Sequence, residues 1–130
     1  MKIYETSNVE IVYRSDQKQI LQTWTDFVPS DMFRAAIDQT VAFAQHHPVE
    51  VIVSDTQKQN AIAPDDSEYA ALVLPELKRA GVRAMAFVIP ENLFTKLSLK
   101  RFASVDKTDM LLQYFGNMDE AQAWIKTCVG

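Results

Sequence analysis

The stretch Val49–Asp55, with the sequence VEVIVSD, decides the fold that this chain predicts. Its four valine and isoleucine residues are typical of a strand buried on both faces of a parallel sheet. A helix with an apolar stripe precedes it, and Thr56–Pro64 follows as a polar connection to a second helix. Because open α/β sheets bind ligands and partners at the carboxyl ends of their strands, Asp55–Glu68 is the first candidate site.

Length and composition predict one domain, spanning residues 1–130. The chain has 130 residues, 48% of them hydrophobic, which suffices for one buried core but leaves no room for a second domain. Its 17 acidic and 13 basic residues give a net charge of −4, which provides no general attraction to nucleic acid or anionic membranes. No apolar run approaches the roughly 18 residues of a membrane-spanning helix. We therefore expect no nucleic-acid partner and no membrane span.

The first residues and the cysteine content indicate the compartment. Met1–Glu5 has neither the apolar core nor the cleavage site of a signal peptide, so we expect a cytoplasmic protein. The single Cys128 cannot form an internal disulfide, which agrees with a reducing compartment. Cys128 lies on the apolar stripe of the last helix, so we expect it to be a buried structural residue.

The residues before the central strand begin with a predicted antiparallel hairpin. Val9–Tyr13 and Lys18–Thr25 each divide their side chains between two faces, and a short polar turn separates them. Ile3–Glu5 is expected to add a weak edge strand. The sheet should therefore open with antiparallel strands.

The first helix is expected to begin at Ser30 or Asp31, either of which can cap free backbone N–H groups. It should run to about His47, because Pro48 disfavours helical geometry in the residue before it. His46 and His47 point about 100° apart on a helix and so cannot chelate one metal ion as an i, i+4 pair can. The apolar stripe of this helix consists of Phe33, Ala36, Ile37, Thr40, Val41 and Ala44.

The second helix, Asp66–Ala80, contains Pro75. Proline inside a helix removes one hydrogen bond at a cost of about 3 kcal/mol, so we expect a kink or two abutting helices. Gly81 should end the helix in the left-handed conformation. Arg83–Ile89 then has the pattern of another buried strand, and this strand, helix and strand predict a right-handed parallel crossover. The expected inner face consists of Tyr69, Leu72, Val73, Leu77 and Ala80.

The remaining residues predict a helix, a strand and a terminal helix. Asn92–Phe102 has the spacing of a helix, and Met110–Phe115 that of a strand. Asn117 and Glu120 have the spacing of a capping box at the start of the terminal helix. Trp124 lies within the apolar stripe of that helix, so we expect it to be largely buried against the sheet.

Acidic residues after the central strand suggest two hypotheses. The carboxylates that could converge there to hold Mg²⁺, as in phosphoacceptor receiver domains, are Asp55, Asp65, Asp66 and Glu68. The antiparallel opening and the lack of an accompanying Thr or Ser and Lys favour the other hypothesis, in which Asp65 caps the second helix and Glu68 completes the cap. The three glycines form no phosphate loop, and the two histidines lie at one helix end. We therefore expect no metal site, no cofactor and no enzymatic activity.

The order of elements and several residue patterns resemble a known superfamily. The patterns are the hairpin ending in Trp24, the strand Val51–Asp55, the segment Leu74–Gly81 leading to Ala86–Val88, and the ending Tyr114–Phe115 followed by Asp119–Ile125. Over most of the chain they resemble the STAS and anti-sigma-factor-antagonist-like (SpoIIAA-like) superfamily, in the branch related to CRAL-TRIO lipid-binding domains. The resemblance implies a bacterial α/β domain whose mixed sheet, opened by the hairpin and completed by parallel strands, is covered by about four helices.

The resemblance also implies a regulatory site. Antagonists of this superfamily carry a phosphorylatable serine in an Asp-Ser-Ser/Thr-Gly type turn after the central strand, and the matching stretch here is Asp65–Glu68. Ser67 stands at the position of that serine, but Glu68 replaces the second hydroxyl residue and the glycine is absent. Because Asp65, Asp66 and Glu68 would repel a phosphate, we expect partner recognition without phosphorylation of Ser67.

The leading functional hypothesis is a non-enzymatic regulatory or protein-binding module of the STAS kind, with an anti-sigma-factor-antagonist-like role. Its predicted partner surface consists of Asp55, Asp65, Asp66, Ser67 and Glu68. The alternative is a carrier of a small apolar or lipid ligand, in a CRAL-TRIO-like cavity opened by the Pro75 kink and by Phe94, Leu97 and Phe102. The identity of the partner and the oligomeric state, including a homodimer, stay open.

Overall fold

The structure is a computed structural model that describes residues 1–59, 64–90 and 110–129. Six strands form one sheet in the order β1-β2-β3-β4-β5-β6. The strands are β1 Lys2–Glu5, β2 Val9–Arg14, β3 Gln19–Asp26, β4 Val51–Gln59, β5 Ala84–Val88 and β6 Leu111–Phe115. The helices are α1 Ser30–His46, α2 Pro64–Leu72, α3 Leu74–Ala80 and α4 Met118–Val129.

The sheet is mixed, as the sequence predicts. β1, β2 and β3 pair antiparallel, and β3, β4, β5 and β6 pair parallel. The α/β class, the opening hairpin and the parallel completion are therefore confirmed. The predicted helix Asn92–Phe102, with Phe94, Leu97 and Phe102, lies outside the described residues. Within the ranges that are described, no helix is long and apolar enough to cross a membrane.

Side chains alternate along the strands and give the sheet two differently covered faces. The first face packs against α1 and α3. Its buried strand side chains include Val9, Ile11, Tyr13, Ile20, Trp24 and Ile52, and the helices contribute Phe33, Ala36, Leu74 and Leu77. The second face packs against α4 through Val51, Val53, Ala84, Ala86, Val88, Phe115, Ala121 and Ile125. The central strand is thus buried on both faces, as its sequence predicts.

β4 extends further than predicted. Thr56–Gln59 was expected to be a polar connection, but Lys58 and Gln59 pair with the end of β3 after a shift in register. Oγ1 of Thr56 donates to the carbonyl oxygen of Val88 at 3.0 Å, and the backbone N–H of Gln57 donates to Oδ1 of Asp55 at 3.1 Å. Pairing with neighbouring strands, rather than apolar periodicity, holds these residues in the sheet.

The second predicted helix is two helices, which confirms the effect expected of Pro75. α2 ends at Leu72, and Pro75 lies in the first turn of α3, where its missing N–H leaves no helical bond unmade. Gly81 ends α3 with φ +112°, as predicted. Leu72, the last residue of α2, does not belong to an inner face, because it is 74% exposed.

The starts of two helices differ from each other. α1 has no side-chain cap: Pro29 occupies the capping position, and Oδ1 of Asp31 accepts instead from the backbone N–H of Met32. The predicted cap by Ser30 or Asp31 is therefore wrong. At α4, Oδ1 of Asn117 accepts from the backbone N–H of Glu120 at 2.9 Å, which confirms the Asn117 cap.

The two tryptophans differ in burial. Trp124, which was expected to be largely buried, is partly buried against the core of the second face, beside the fully buried Ala121 and Ile125. Trp124 contacts Phe115 with ring centroids 5.5 Å apart. Trp24 on β3 is 2% exposed and packs on Phe33 of α1 at 5.0 Å. Position along an apolar stripe fixed the side of α4 that faces the sheet but not how deeply Trp124 is covered.

Candidate functional site

The starts of α1 and α2 meet at the edge of the sheet where β3 and β4 end. Asp26 at the end of β3 pairs with Gln59 at the end of β4, and α1 begins four residues after Asp26. The hydroxyl of Ser30 donates to Oδ2 of Asp66 at 2.7 Å, which joins the first turns of the two helices. This edge is the place that the sequence predicts for a site, and it contains Asp65, Asp66 and Glu68.

Asp66 is a buried structural residue. Its carboxylate is 2% exposed and accepts hydrogen bonds from Ser30 and, at 3.1 Å, from Nε of Arg34. A buried carboxylate requires such partners, because an unpaired charge is costly to remove from water. Asp66 was predicted to lie on the partner surface, but here both of its oxygens face α1. The sequence could not indicate this, since Arg34 is 32 residues away in the chain.

Two further contacts join α1 to α2. The Arg34 guanidinium lies over the ring of Tyr69, 4.9 Å from its centroid, and the Arg34 side chain is 43% exposed. The hydroxyl of Tyr69 donates to Oδ1 of Asp38, and this hydrogen bond raises the pKa of Tyr69. Arg34, Asp38, Asp66 and Tyr69 therefore form one polar cluster between the helices, which we call the α1–α2 cluster.

Asp65 and Glu68 point to solvent. Both are exposed, and no ion pair engages either of them within the described part of the chain. Asp65 lies inside the first turn of α2, which begins at Pro64, so the prediction that Asp65 precedes and caps this helix is wrong. The backbone of Ser67 belongs to the same turn, and its side chain lies outside the described residues.

Asp55 lies on the other side of the sheet. Ser54 faces α1, where its hydroxyl accepts from Nε1 of Trp24 at 2.9 Å. Alternation then places Asp55 on the face that α4 covers, together with Val51 and Val53. The sheet thus separates Asp55 from Asp66. Among the described residues, no three acidic, histidine or cysteine side chains are grouped closely enough to hold a metal ion.

Phe27 is an exposed apolar residue at this edge that no sequence pattern indicated as a site residue. It follows β3 directly, and its side chain is 60% exposed, whereas the adjacent Val28 is buried. Asp26 adopts φ +58°, a conformation that turns the chain between β3 and α1. The signal in the sequence is an aromatic residue within a short connection, flanked by residues that serve the turn.

Comparison with known proteins shows which solved fold this chain resembles. No family model matches this chain, and no curated protein matches it. Among solved structures, the chain is similar to an uncharacterised protein of the DUF3478 family from Shewanella loihica PV-4, whose crystal structure is described as having a SpoIIAA-like fold. The TM-score is 0.63 at 11% identity, over 94% of this chain and 99% of that chain. The relation to CRAL-TRIO domains stays a prediction, and the chain has the SpoIIAA-like fold that its sequence predicts.

Proposed function

We propose that this chain is a non-enzymatic STAS-like module that binds a protein partner through the edge where β3 and β4 end. The binding surface consists of Phe27, Asp31, Asp65 and Glu68, and we call it the carboxyl-end surface. The observation that carries the proposal is the exposed Phe27 beside helix starts whose exposed carboxylates form no ion pair with any described residue. Of the residues expected from the sequence, Asp65 and Glu68 remain available to a partner, whereas Asp66 positions α2.

The chemistry of the surface indicates the chemistry of the partner. An exposed aromatic side chain is a typical anchor residue, which gains affinity when it enters an apolar pocket. Carboxylates around it favour a partner with lysine or arginine side chains, and such charges act mainly on the association rate and on specificity. Lys58 is an exposed cation near the end of β4, so the partner must leave it in water or pair it. Binding should weaken as salt is added.

The two histidines of the chain lie far from this surface. A nucleophile needs a base within hydrogen-bond reach. His46 and His47 lie at the far end of α1, and a helix of 17 residues is about 25 Å long. The ring of His47 stacks on Phe43 at 3.9 Å, which ties it to its own helix. Neither histidine can act as a base for a group near Phe27.

The proposal includes recognition without phosphorylation of Ser67. Two effects oppose each other in the first turn of α2: the helix dipole favours an added anion, and neighbouring carboxylates disfavour it. Arg34 compensates the charge of Asp66, so Asp65 and Glu68 supply the repulsion. Intact-mass analysis of the protein from its native host tests this part, and a stoichiometric phosphate on Ser67 would contradict it.

Affinity capture with matched variants tests the proposal. Phe27→Ala should abolish retention of a partner that the parent protein retains, whereas Leu111→Ala should not. Leu111 is a suitable control because it is also an exposed apolar residue, at 51%, and lies at the opposite end of the strands. A partner that both variants retain equally would contradict the carboxyl-end surface. A lipid extracted from the purified parent would instead favour the carrier hypothesis.

A further inference from the structure

Helix α2 is attached to the fold differently from the other described helices. Its buried residue is the acidic Asp66, and none of its apolar side chains that the structure describes is fully buried. Tyr69 and Ala70 are half-buried, and Leu72 is exposed. By contrast, α3 buries Leu74 and Leu77, and α4 buries Ala121 and Ile125. Polar contacts of the α1–α2 cluster therefore provide much of what holds α2 in place.

Polar attachment lowers the cost of separating α2 from α1. Apolar side chains lose free energy when they return to water, whereas a carboxylate and a guanidinium regain their hydration when their pair breaks. Segments with few buried apolar contacts are the ones that open while the rest of a protein stays folded. The α1–α2 cluster is of this kind: Asp66 pairs with Arg34, and Tyr69 with Asp38, while Ser30 adds a further hydrogen bond to Asp66.

The chain also has a break at the end of α2 where such an opening can pivot. Val73 lies between α2 and α3 and is the N-cap of α3, where its carbonyl oxygen accepts from the backbone N–H of Leu77 at 3.0 Å. Pro75 lacks an N–H group, so it cannot continue the hydrogen-bond ladder of α2 into α3. On the other side of the break, the buried side chains of Leu74 and Leu77 hold α3 to the core. α2 can move about Val73 without disturbing α3.

We infer that α2 is a latch, which opens from α1 as a unit about Val73 and which the buried Asp66 carboxylate holds closed. Opening carries Asp65 and Glu68 away from Phe27 and Asp31, which stay with β3 and α1. If the proposed function is correct, the carboxyl-end surface is complete only while the latch is closed. The opening itself does not depend on that function.

Hydrogen exchange followed by mass spectrometry on the full chain tests the latch without a partner. In the parent protein, the backbone amides of α2 should have lower protection factors than those of α1. Asp66→Asn keeps the size of the side chain but removes its charge, and should speed exchange in α2 by about tenfold or more while α1 is unchanged. Asp65→Asn is the matched control, because Asp65 is exposed in the same turn: it loses only its interaction with the helix dipole, and should speed exchange in α2 far less than Asp66→Asn does.

The outcomes separate the latch from general destabilisation. Equal protection of α1 and α2 in the parent, or an Asp66→Asn variant in which both helices exchange faster by the same factor, would overturn the inference. If Asp66→Asn does not fold, Tyr69→Phe removes the hydrogen bond to Asp38 and keeps the ring over which Arg34 lies. That variant should also speed exchange in α2 alone. The partner-binding test with Phe27→Ala is independent of these exchange measurements, so the latch and the proposed function can fail separately.

Discussion

Nε1 of Trp24 donates a hydrogen bond to Oγ of Ser54 at 2.9 Å, and both side chains are buried between the sheet and α1. Ser54→Ala removes the acceptor and leaves the indole N–H in the core without it. A buried donor left unpaired costs about 1 to 3 kcal/mol, so the free energy of unfolding should fall by that amount. Urea denaturation measures it. An unchanged midpoint would show that the indole finds another acceptor.

Trp124 offers a comparison with Trp24 that tests the difference in burial. Trp24→Ala should cost about 3 to 5 kcal/mol, because it removes a fully buried aromatic side chain. Trp124→Ala should cost less, about 1 to 2 kcal/mol, since Trp124 is half-buried and water already reaches part of its ring. The two unfolding free energies, measured under the same conditions, decide the order. An equal cost for both variants would mean that the sheet covers Trp124 as fully as α1 and the sheet cover Trp24.

Local patterns predicted the elements whose cause is local. The alternation in Val9–Tyr13 and the apolar run in Val49–Asp55 indicated strands, because the spacing of apolar residues along a strand shows which of its faces are buried. Pro75 and Gly81 indicated a break and a helix end, since each restricts or permits particular backbone angles. These features needed no knowledge of the rest of the chain.

The features that the sequence did not indicate depend on contacts between distant segments. Asp66 is buried because Ser30 and Arg34 lie on a helix that packs beside it. Lys58 and Gln59 belong to β4 because the end of β3 supplies backbone partners. Polar residues give the same local pattern in a loop, on a surface or in a paired cluster, so the candidate site could be located from the sequence but its buried and exposed members could not be separated.

The hydrogen bond from Tyr69 to Asp38 predicts a change in stability at high pH. It raises the pKa of Tyr69 above the ordinary value of 10.0 in the folded protein. The protonated phenol donates the bond, so its contribution is fully present below pH 10.0 and is lost as the pH rises through the raised pKa. Asp38→Ala should bring the Tyr69 phenolate titration back towards 10.0.

Tyr69→Phe provides the control for that titration, because it removes one of the four tyrosines of the chain and its difference spectrum isolates Tyr69. In the parent, the stability that the hydrogen bond from Tyr69 to Asp38 contributes is lost at high pH. The variant lacks this hydrogen bond, so its free energy of unfolding should not show that loss. The raised pKa of Lys2, caused by Glu5 and Glu10, gives a loss at high pH in the parent and the variant alike. An identical pH dependence in both proteins would contradict a contribution from Tyr69.

The buried pair Gln22 and Thr40 allows a double-mutant cycle in the core. Nε2 of Gln22 donates to Oγ1 of Thr40 at 2.8 Å, and that hydroxyl donates to the carbonyl oxygen of Ala36 at 3.0 Å. Thr40→Val leaves the Gln22 amide unpaired and should cost about 1 to 3 kcal/mol. Gln22→Leu should cost less, because Thr40 keeps its bond to Ala36.

The double variant Gln22→Leu, Thr40→Val should recover part of what Thr40→Val loses, because no buried amide then lacks its acceptor. The four unfolding free energies from urea denaturation give the coupling between the two residues. A coupling of at least about 0.5 kcal/mol is expected for residues in direct contact. Additive costs would mean that Gln22 gains another partner when Thr40 is replaced, and that the polar groups beneath α1 are less restrained than their burial indicates.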